Sequence, residues 1–384
     1  MRALKSAVGL CLLSLLFACE REIQKQEIVQ SRIQDVQKLD DLGVYAKMVA
    51  LETHEDALLG SITKVEIDKN SGDILIADTF VTHRVYRFSS EGRYLLTYGQ
   101  DGEGPGEYQR LFTFTILDNG RVAVFSMGKR LLYESDGEVV YEEASNTNDI
   151  FAYALGNRIY VYSVLGYRSN DSMVTILNDR FEKEGDFHPL DDRIRKVPFL
   201  PREGLAIAGD QVIVSELCDY ELAFYDAEGN SQKITSFPNR NEEAETLWNL
   251  SEKELSKKRN KQRVVRAVHR ASSIHAVNGY LHILESHPET KLLRSNLWDL
   301  ETNQLYTYSG IRLVRAGKGA NYLSMNQLVG AYDNGLIGVC DDPDNFNRFR
   351  KGLPAAQGIE YTDNDNPVLL FFELKAPVLA TAHL

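Results

Sequence analysis

A turn built from Asn, Asp and Gly, followed at once by a short apolar strand, recurs six times along the chain, and this repeat constrains the fold more than any other feature. It stands at Asn70-Ser-Gly72 before Ile74-Leu-Ile-Ala77, at Asp118-Asn-Gly120 before Val122-Ala-Val-Phe125, and at Leu155-Gly-Asn157 before Ile159-Tyr-Val-Tyr162. It returns at Ala208-Gly-Asp210 before Val212-Ile-Val-Ser215, at Val277-Asn-Gly279 before Leu281-His-Ile-Leu284, and at Asp333-Asn-Gly335 before Leu336-Ile-Gly-Val339. Asn-Gly and Gly-Asp pairs supply the positive φ of tight hairpins, so each turn joins two strands. A second turn follows many of them, at Ser90-Glu-Gly92, Ser135-Asp-Gly137 and Ala227-Glu-Gly229, with Glu301-Thr-Asn303 a looser cousin. Each unit is therefore four strands in about forty residues, the size of one propeller blade. A lone blade cannot bury both of its faces. The pattern predicts an all-β, six-bladed β-propeller of four-stranded antiparallel blades, in which each sheet covers its neighbour.

The ring needs its ends joined. The sixth unit is one strand short, and the run Ala46-Lys-Met-Val-Ala-Leu51 precedes the first unit without a partner, so it is expected to supply the missing strand. One interruption, about 239–270, reads as a helical insertion between blades four and five, with Ser251 and Glu254 spaced as a capping box. From Ser251 to Arg270 it carries eight basic residues against Glu252 and Glu254. A solvated surface explains such a run better than nucleic-acid binding, because no aromatics interleave it.

Residues 1–18 have a basic start at Arg2 and Lys5 and an apolar core from Ala7 to Phe17, too short to span a bilayer and placed as a secretory signal. The sequence Leu16-Phe-Ala-Cys19 resembles the lipobox of bacterial lipoproteins, which implies lipidation at Cys19 and a membrane partner through that anchor. Residues 19–44 are polar and read as a tether, leaving 45–384 for the propeller. With the signal removed, 41 basic residues face 55 acidic ones, a balance that repels nucleic acid. Cys218 and Cys340 are expected as buried free thiols.

Four stretches in order, Val49-Ala-Leu-Glu-Thr53, Leu58-Leu-Gly-Ser-Ile-Thr-Lys-Val65, Ile74-Leu-Ile-Ala-Asp78 and Gly102-Glu-Gly-Pro-Gly-Glu-Tyr108, resemble the six-bladed β-propeller lipoproteins of Bacteroidota, relatives of the NHL-repeat propellers. The resemblance implies the fold and a place in the cell envelope, at the outer membrane. It implies no reaction.

Six residues on from each hairpin landmark lies one polar residue per blade: Asp78, Ser126, Ser163, Glu216, Glu285 and Asp341. Second strands of a propeller end on one rim, so these side chains are expected around one mouth of the channel, joined by Glu103, Glu107 and Tyr108 of the glycine-rich loop and by His287. As a site they would take a divalent cation such as calcium, or a protein, peptide or glycan. As structure, each would cap its turn by bonding backbone amides. No cofactor is predicted. Three functions remain open: a binding or scaffold module, a metal-assisted hydrolase or lyase using Glu216, Glu285 and Asp341, and a structural subunit of a surface complex.

Overall fold

The computed structural model describes residues 24–27, 29–30, 34–35 and 43–374, except 148, 163–170, 192–203, 216–220, 237–245, 248, 256, 258–259, 261–262, 264–270, 278, 287–292, 310–326 and 333–334. Six sheets form a ring, and each innermost strand touches the innermost strand of the next blade, the sixth returning to the first. Blade one is Lys64–Ile67, Ile74–Asp78, Arg84–Phe88 and Tyr94–Tyr98; blade two is Leu111–Ile116, Val122–Ser126, Lys129–Tyr133 and Val139–Ala144. Blade three is Phe151–Leu155, Arg158–Tyr162, Ser172–Leu177 and Lys183–Pro189, and blade four is Leu205–Ala208, Gln211–Ser215, Glu221–Tyr225 and Ser231–Ser236. Blade five is Ala271–Val277, Tyr280–Ser286, Leu293–Asp299 and Gln304–Ser309.

Blade six takes only three strands from the C-terminal end, Gln327–Tyr332, Gly335–Cys340 and Val368–Leu374, and its outermost strand is Gly43–Ala50. That strand runs antiparallel to Val368–Leu374, with Ala50 opposite Val368 and Val44 opposite Glu373. The closure expected from the unpartnered N-terminal run is the one found.

The unbroken apolar runs of the second strands follow from this stacking. Successive side chains of a strand point to opposite faces, and here both faces are buried. In Ile74–Asp78, Ile74 and Ile76 pack with Val49, Val339 and Leu369 of blade six, whereas Leu75 and Ala77 pack with Phe114, Val124 and Tyr133 of blade two. An alternating polar residue would face a neighbouring blade rather than water.

Two segments depart from the sequence reading. The tether expected over 19–44 contains strands: Gln24–Glu27 pairs in parallel with Ser231–Ser236 on the outer edge of blade four. Val29–Gln30 and Gln34–Asp35 do the same along Gln304–Ser309 of blade five. The described residues of this segment form a belt along the outer edges of blades four and five, and the expected start of order near residue 45 is too late. Of the insertion between blades four and five, the described residues include one short helix, Glu252–Leu255, and a buried Leu247 packed into the core shared by blades three and four. The stretch between the second and third strands of blade six holds a further helix, Pro343–Phe349. Asp342 caps it by accepting from the Asn345 N–H at 2.9 Å.

Gly92 lies where blade one meets the closing strand. Its φ is +91°, and a Cβ there would come 2.2 Å from the Ala50 carbonyl oxygen. Its own carbonyl accepts from the Glu52 N–H at 2.8 Å. A left-handed φ costs a side chain about 1–2 kcal/mol before any clash. Gly92→Ala should therefore destabilise the protein by more than about 2 kcal/mol. Gly279→Ala, with φ +80° but open space around the new methyl, should cost only the backbone term. Paired denaturant melts check the difference.

Candidate binding rim

The turns joining second to third strands and the connections from one blade to the next share one face of the ring, by the alternation of strand direction. Asp78 ends the second strand of blade one on this rim and is fully buried. Its Oδ2 accepts from the N–H groups of Gly60 (2.8 Å) and Ser61 (3.0 Å), and its Oδ1 from those of Phe80 (3.2 Å) and Val81 (2.9 Å). One carboxylate thus holds the loop leading into blade one against the following turn. Ser126 plays a smaller version of the part in blade two, buried and donating from Oγ to the Lys129 carbonyl at 3.1 Å.

The glycine-rich loop is pinned just as firmly. Tyr108 is buried, donates its hydroxyl to the Tyr98 carbonyl at 2.8 Å and accepts from the Val85 N–H at 3.3 Å. The Arg84 guanidinium lies over its ring at 5.3 Å and pairs with Asp101 at 3.3 Å. Tyr133 donates to the Gly106 carbonyl at 3.0 Å. Burial raises the phenols of Tyr108 and Tyr133 far above their ordinary range, so both remain donors. Glu107 folds back to accept from the Gly104 N–H at 2.9 Å. Lys129 donates to the carbonyls of Glu103 (2.9 Å) and Gly104 (2.7 Å) and pairs with Glu142 at 2.7 Å. Burial pushes the Glu142 carboxyl upward, but hydrogen bonds from Lys129 and the Gly106 N–H, with the lysine's charge, outweigh it and hold the group below the usual range.

These polar groups hold in place side chains of the opposite character. Phe80 is 75% exposed, Met127 61%, Val81 60% and Leu58 55%, on turns and loops of blades one and two at the same rim. The sequence reading missed them, although Phe80-Val81 and Met127 are large apolar residues inside turns, where small polar ones are the rule. Of the six residues counted one per blade, Asp341 is exposed at the end of its strand beside the buried Cys340. Ser163, Glu216 and His287 lie outside the described residues, and Glu285 is described only as backbone, opposite Arg294. Two of the three acids named for metal-assisted chemistry therefore have no described side chain. Among the described residues no three His, Cys, Asp or Glu side chains gather as a metal site requires.

On the other face, a cavity of about 1500 Å³ opens between the first hairpin turns, lined among others by Lys64, Glu66, Tyr153, Ile207 and His275. Lys64 reaches across it. Its Nζ donates to the carbonyls of Phe114 in blade two (2.8 Å) and Ala152 in blade three (2.7 Å) and pairs with Glu66 at 2.7 Å. Glu66 in turn accepts from the Ile116 N–H at 2.8 Å. The charges here join three blades. His275 and His282 face each other across the first hairpin of blade five, and burial, with His275 beside it, pushes the His282 imidazole down to about 3, so it is neutral near pH 7.

A profile described as a 6-bladed β-propeller, DUF5128, matches residues 19–326. An exported protein of Bacteroides fragilis, so described in its structure, superposes with a TM-score of 0.68 at 17% identity, over 92% of this chain and 100% of that one. A member of the DUF4221 family from Bacteroides vulgatus gives 0.52 at 10% identity, over 87% of this chain and 98% of its own. None of the curated proteins matches the chain.

Two outcomes follow from the geometry. Asp78→Ala strands four backbone N–H groups, and an unsatisfied buried donor costs about 1–3 kcal/mol, so a loss of at least about 3 kcal/mol is expected in denaturant melts. A residue serving only a ligand would leave the midpoint unmoved. For Glu142, the folded carboxyl is depressed, so its contribution is complete above the unfolded value near 4.3 and fades as pH falls through the folded one. The glycine loop should become more susceptible to proteolysis as pH falls below about 4, and Lys129→Met should produce that susceptibility at neutral pH. The accompanying stability change should stay within about 1 kcal/mol, because both groups are partly exposed.

Proposed function

The chain belongs to the DUF5128 family of six-bladed β-propellers, and from that premise we propose that it is an envelope-anchored binding module that takes a protein or peptide partner on the rim of blades one and two. The carrying observation is the set of four exposed apolar side chains, Leu58, Phe80, Val81 and Met127, on turns immobilised by buried polar groups. Apolar side chains held rigidly in water lose little conformational entropy when covered, which is the economy of a binding hot spot. Exposed large apolar residues grouped on one side also mark interaction surfaces more often than bare structure. A protein or peptide suits them better than a glycan, whose hydroxyls would need polar partners. Asp101 and Glu103, both exposed beside them, would add preference for a basic segment.

Anchoring is by lipid at Cys19, after removal of residues 1–18. The Bacteroides fragilis neighbour described as exported supports passage across the inner membrane. Among the described residues no helix is long and apolar enough to cross a membrane.

A pulldown from native envelopes with the intact lipoprotein tests the rim. A partner retained by the wild type should fall about tenfold or more with Phe80→Ser combined with Met127→Ser, a loss of at least about 1.4 kcal/mol, while the melting midpoint holds. Undiminished capture by the double variant would remove the rim from consideration.

A further inference from the structure

The belt shows what the outer edges of these blades accept. Gln24–Glu27 pairs in parallel with the edge of blade four, and Val29–Gln30 and Gln34–Asp35 pair in parallel along the edge of blade five. On blade four the place is set by a bulge. In the outer strands of blades one, two, three, four and six one residue is skipped by the third strand at the same point, namely Leu95, Val140, Glu184, Gln232 and Ala46. In blade four the residues that follow the bulge, Lys233 to Ser236, are the ones that receive Gln24–Glu27. The same count in blade two gives Tyr141-Glu-Glu-Ala144.

Among the described residues no strand lies on that edge of blade two. Unpaired N–H and C=O groups on an outer strand are a template for a further strand. The other free edges suit one less well. In blade three the corresponding residues run into Pro189, which has no N–H to give, and in blade one Gln100, just past the strand, already bridges Glu107. Blade two also exposes Val139, Val140 and Tyr141 along its outer strand, apolar surface that a partner would remove from water. Its far end reaches the rim, where the Ser145 N–H donates to the Gly128 carbonyl at 2.9 Å, next to Met127.

Charge identifies the occupant. From Arg121 to Ala144 five acidic residues stand against three basic ones. Lys129 and Arg130 meet Glu142 at 2.7 Å and Glu143 at 2.9 Å from the third strand, and the empty slot lies on the other flank of both carboxylates. A second copy laid on this edge would bring its own Glu142 and Glu143 against them, and like charges facing across strands repel. We propose that the outer edge of blade two takes, in parallel, an extended basic segment of another protein, with an apolar residue opposite Tyr141 and Lys or Arg opposite Glu142 and Glu143. The parallel direction brings the segment's C-terminal end to the rim at Met127. The edge is a site separate from the apolar rim, and a peptide that covers only Tyr141 to Ala144 does not need the rim.

The probe is the end-blocked peptide Thr-Val-Lys-Arg-Val-Thr at about 1 mM, compared with Thr-Val-Glu-Glu-Val-Thr and Thr-Val-Lys-Pro-Val-Thr, and the readout is amide hydrogen exchange of the full chain. The basic peptide should slow exchange of the outward amides within Tyr141 to Ala144 by about threefold or more and leave the edges of blades one and three as they were. The acidic and proline peptides should have no effect. Glu143→Gln should raise the concentration of basic peptide required by about threefold. A nitroxide on the peptide's C-terminal end should broaden the signals of Met127 and Gly128, and one on its N-terminal end that of Gly137. No protection, equal protection by the acidic peptide, protection shared with blades one and three, or the reverse broadening would overturn the proposal. Protection that arises without peptide and grows with protein concentration would make a second copy the occupant and overturn it too. Phe80→Ser combined with Met127→Ser should leave the short peptide's protection intact, which separates failure of the rim from failure of the edge.

Discussion

The pairing of Gly43–Ala50 with Val368–Leu374 carries the rest of the structure. Each blade is sandwiched, so its two apolar faces are satisfied only if a neighbour stands on both sides. An open ring would leave the face of blade one that bears Ile74, Ile76 and Phe88, and the face of blade six that bears Val339 and Leu369, against water. At roughly 25 cal/mol for each Å² of apolar surface, exposing two such faces costs more than any single rim contact could return. The chain therefore spends its N-terminal strand on closure. Lys64 reinforces the inner circumference, where Nζ bonds two carbonyls of successive blades and its charge is matched by Glu66.

The same sandwiching determines what polar residues do at strand ends. Where a second strand leaves the sheet, the backbone N–H groups of its turn and of the loop beside it have no strand to pair with. A short carboxylate is the cheapest remedy, and Asp78 satisfies four such groups at once. Equivalent positions in the repeat need not share that duty. Asp341 is exposed, and it is its neighbour Asp342 that caps the helix that follows. Polar character at a repeated position thus has two different causes on one rim.

The repeat, the blade number and the closing strand were legible because they are written in side chains: Asn-Gly turns, doubly buried apolar runs and a strand left without a partner. The place of the glycine-rich loop between blades one and two was legible for the same reason, but Tyr108 is buried beneath it rather than open at the entrance. The belt was not. Gln24–Glu27 joins blade four through backbone hydrogen bonds on an outer edge, a mode of pairing that makes few demands on side chains, so a Gln- and Lys-rich composition looks identical whether free or paired. The Lys64 staple was hidden in a Lys-Val-Glu-Ile strand that alternates like any half-exposed one, although the space it faces is the central cavity where carbonyls of blades two and three are within its reach. The helix at Pro343–Phe349 could have been read from Asp342 followed by proline at its first position.

Edges give the asymmetry of the molecule its physical sense. Every propeller blade ends in an outer strand with one unpaired side, which is an invitation to further pairing. The belt occupies that side in blades four and five, and in blade six the outer strand is the closing one itself. Among the described residues, blades one to three carry no added strand. Blade two even exposes Val139, Val140 and Tyr141 along its outer strand, with Glu142 and Glu143 following as charges that discourage chance association. Among the described residues, the added strands lie on blades four and five, and most of the exposed large apolar side chains lie on blades one and two. A chain selected only for solubility would distribute its protection evenly, whereas one that must keep one half quiet and the other available has reason to spend its N-terminal segment on the wall and leave Phe80 and Met127 in the open.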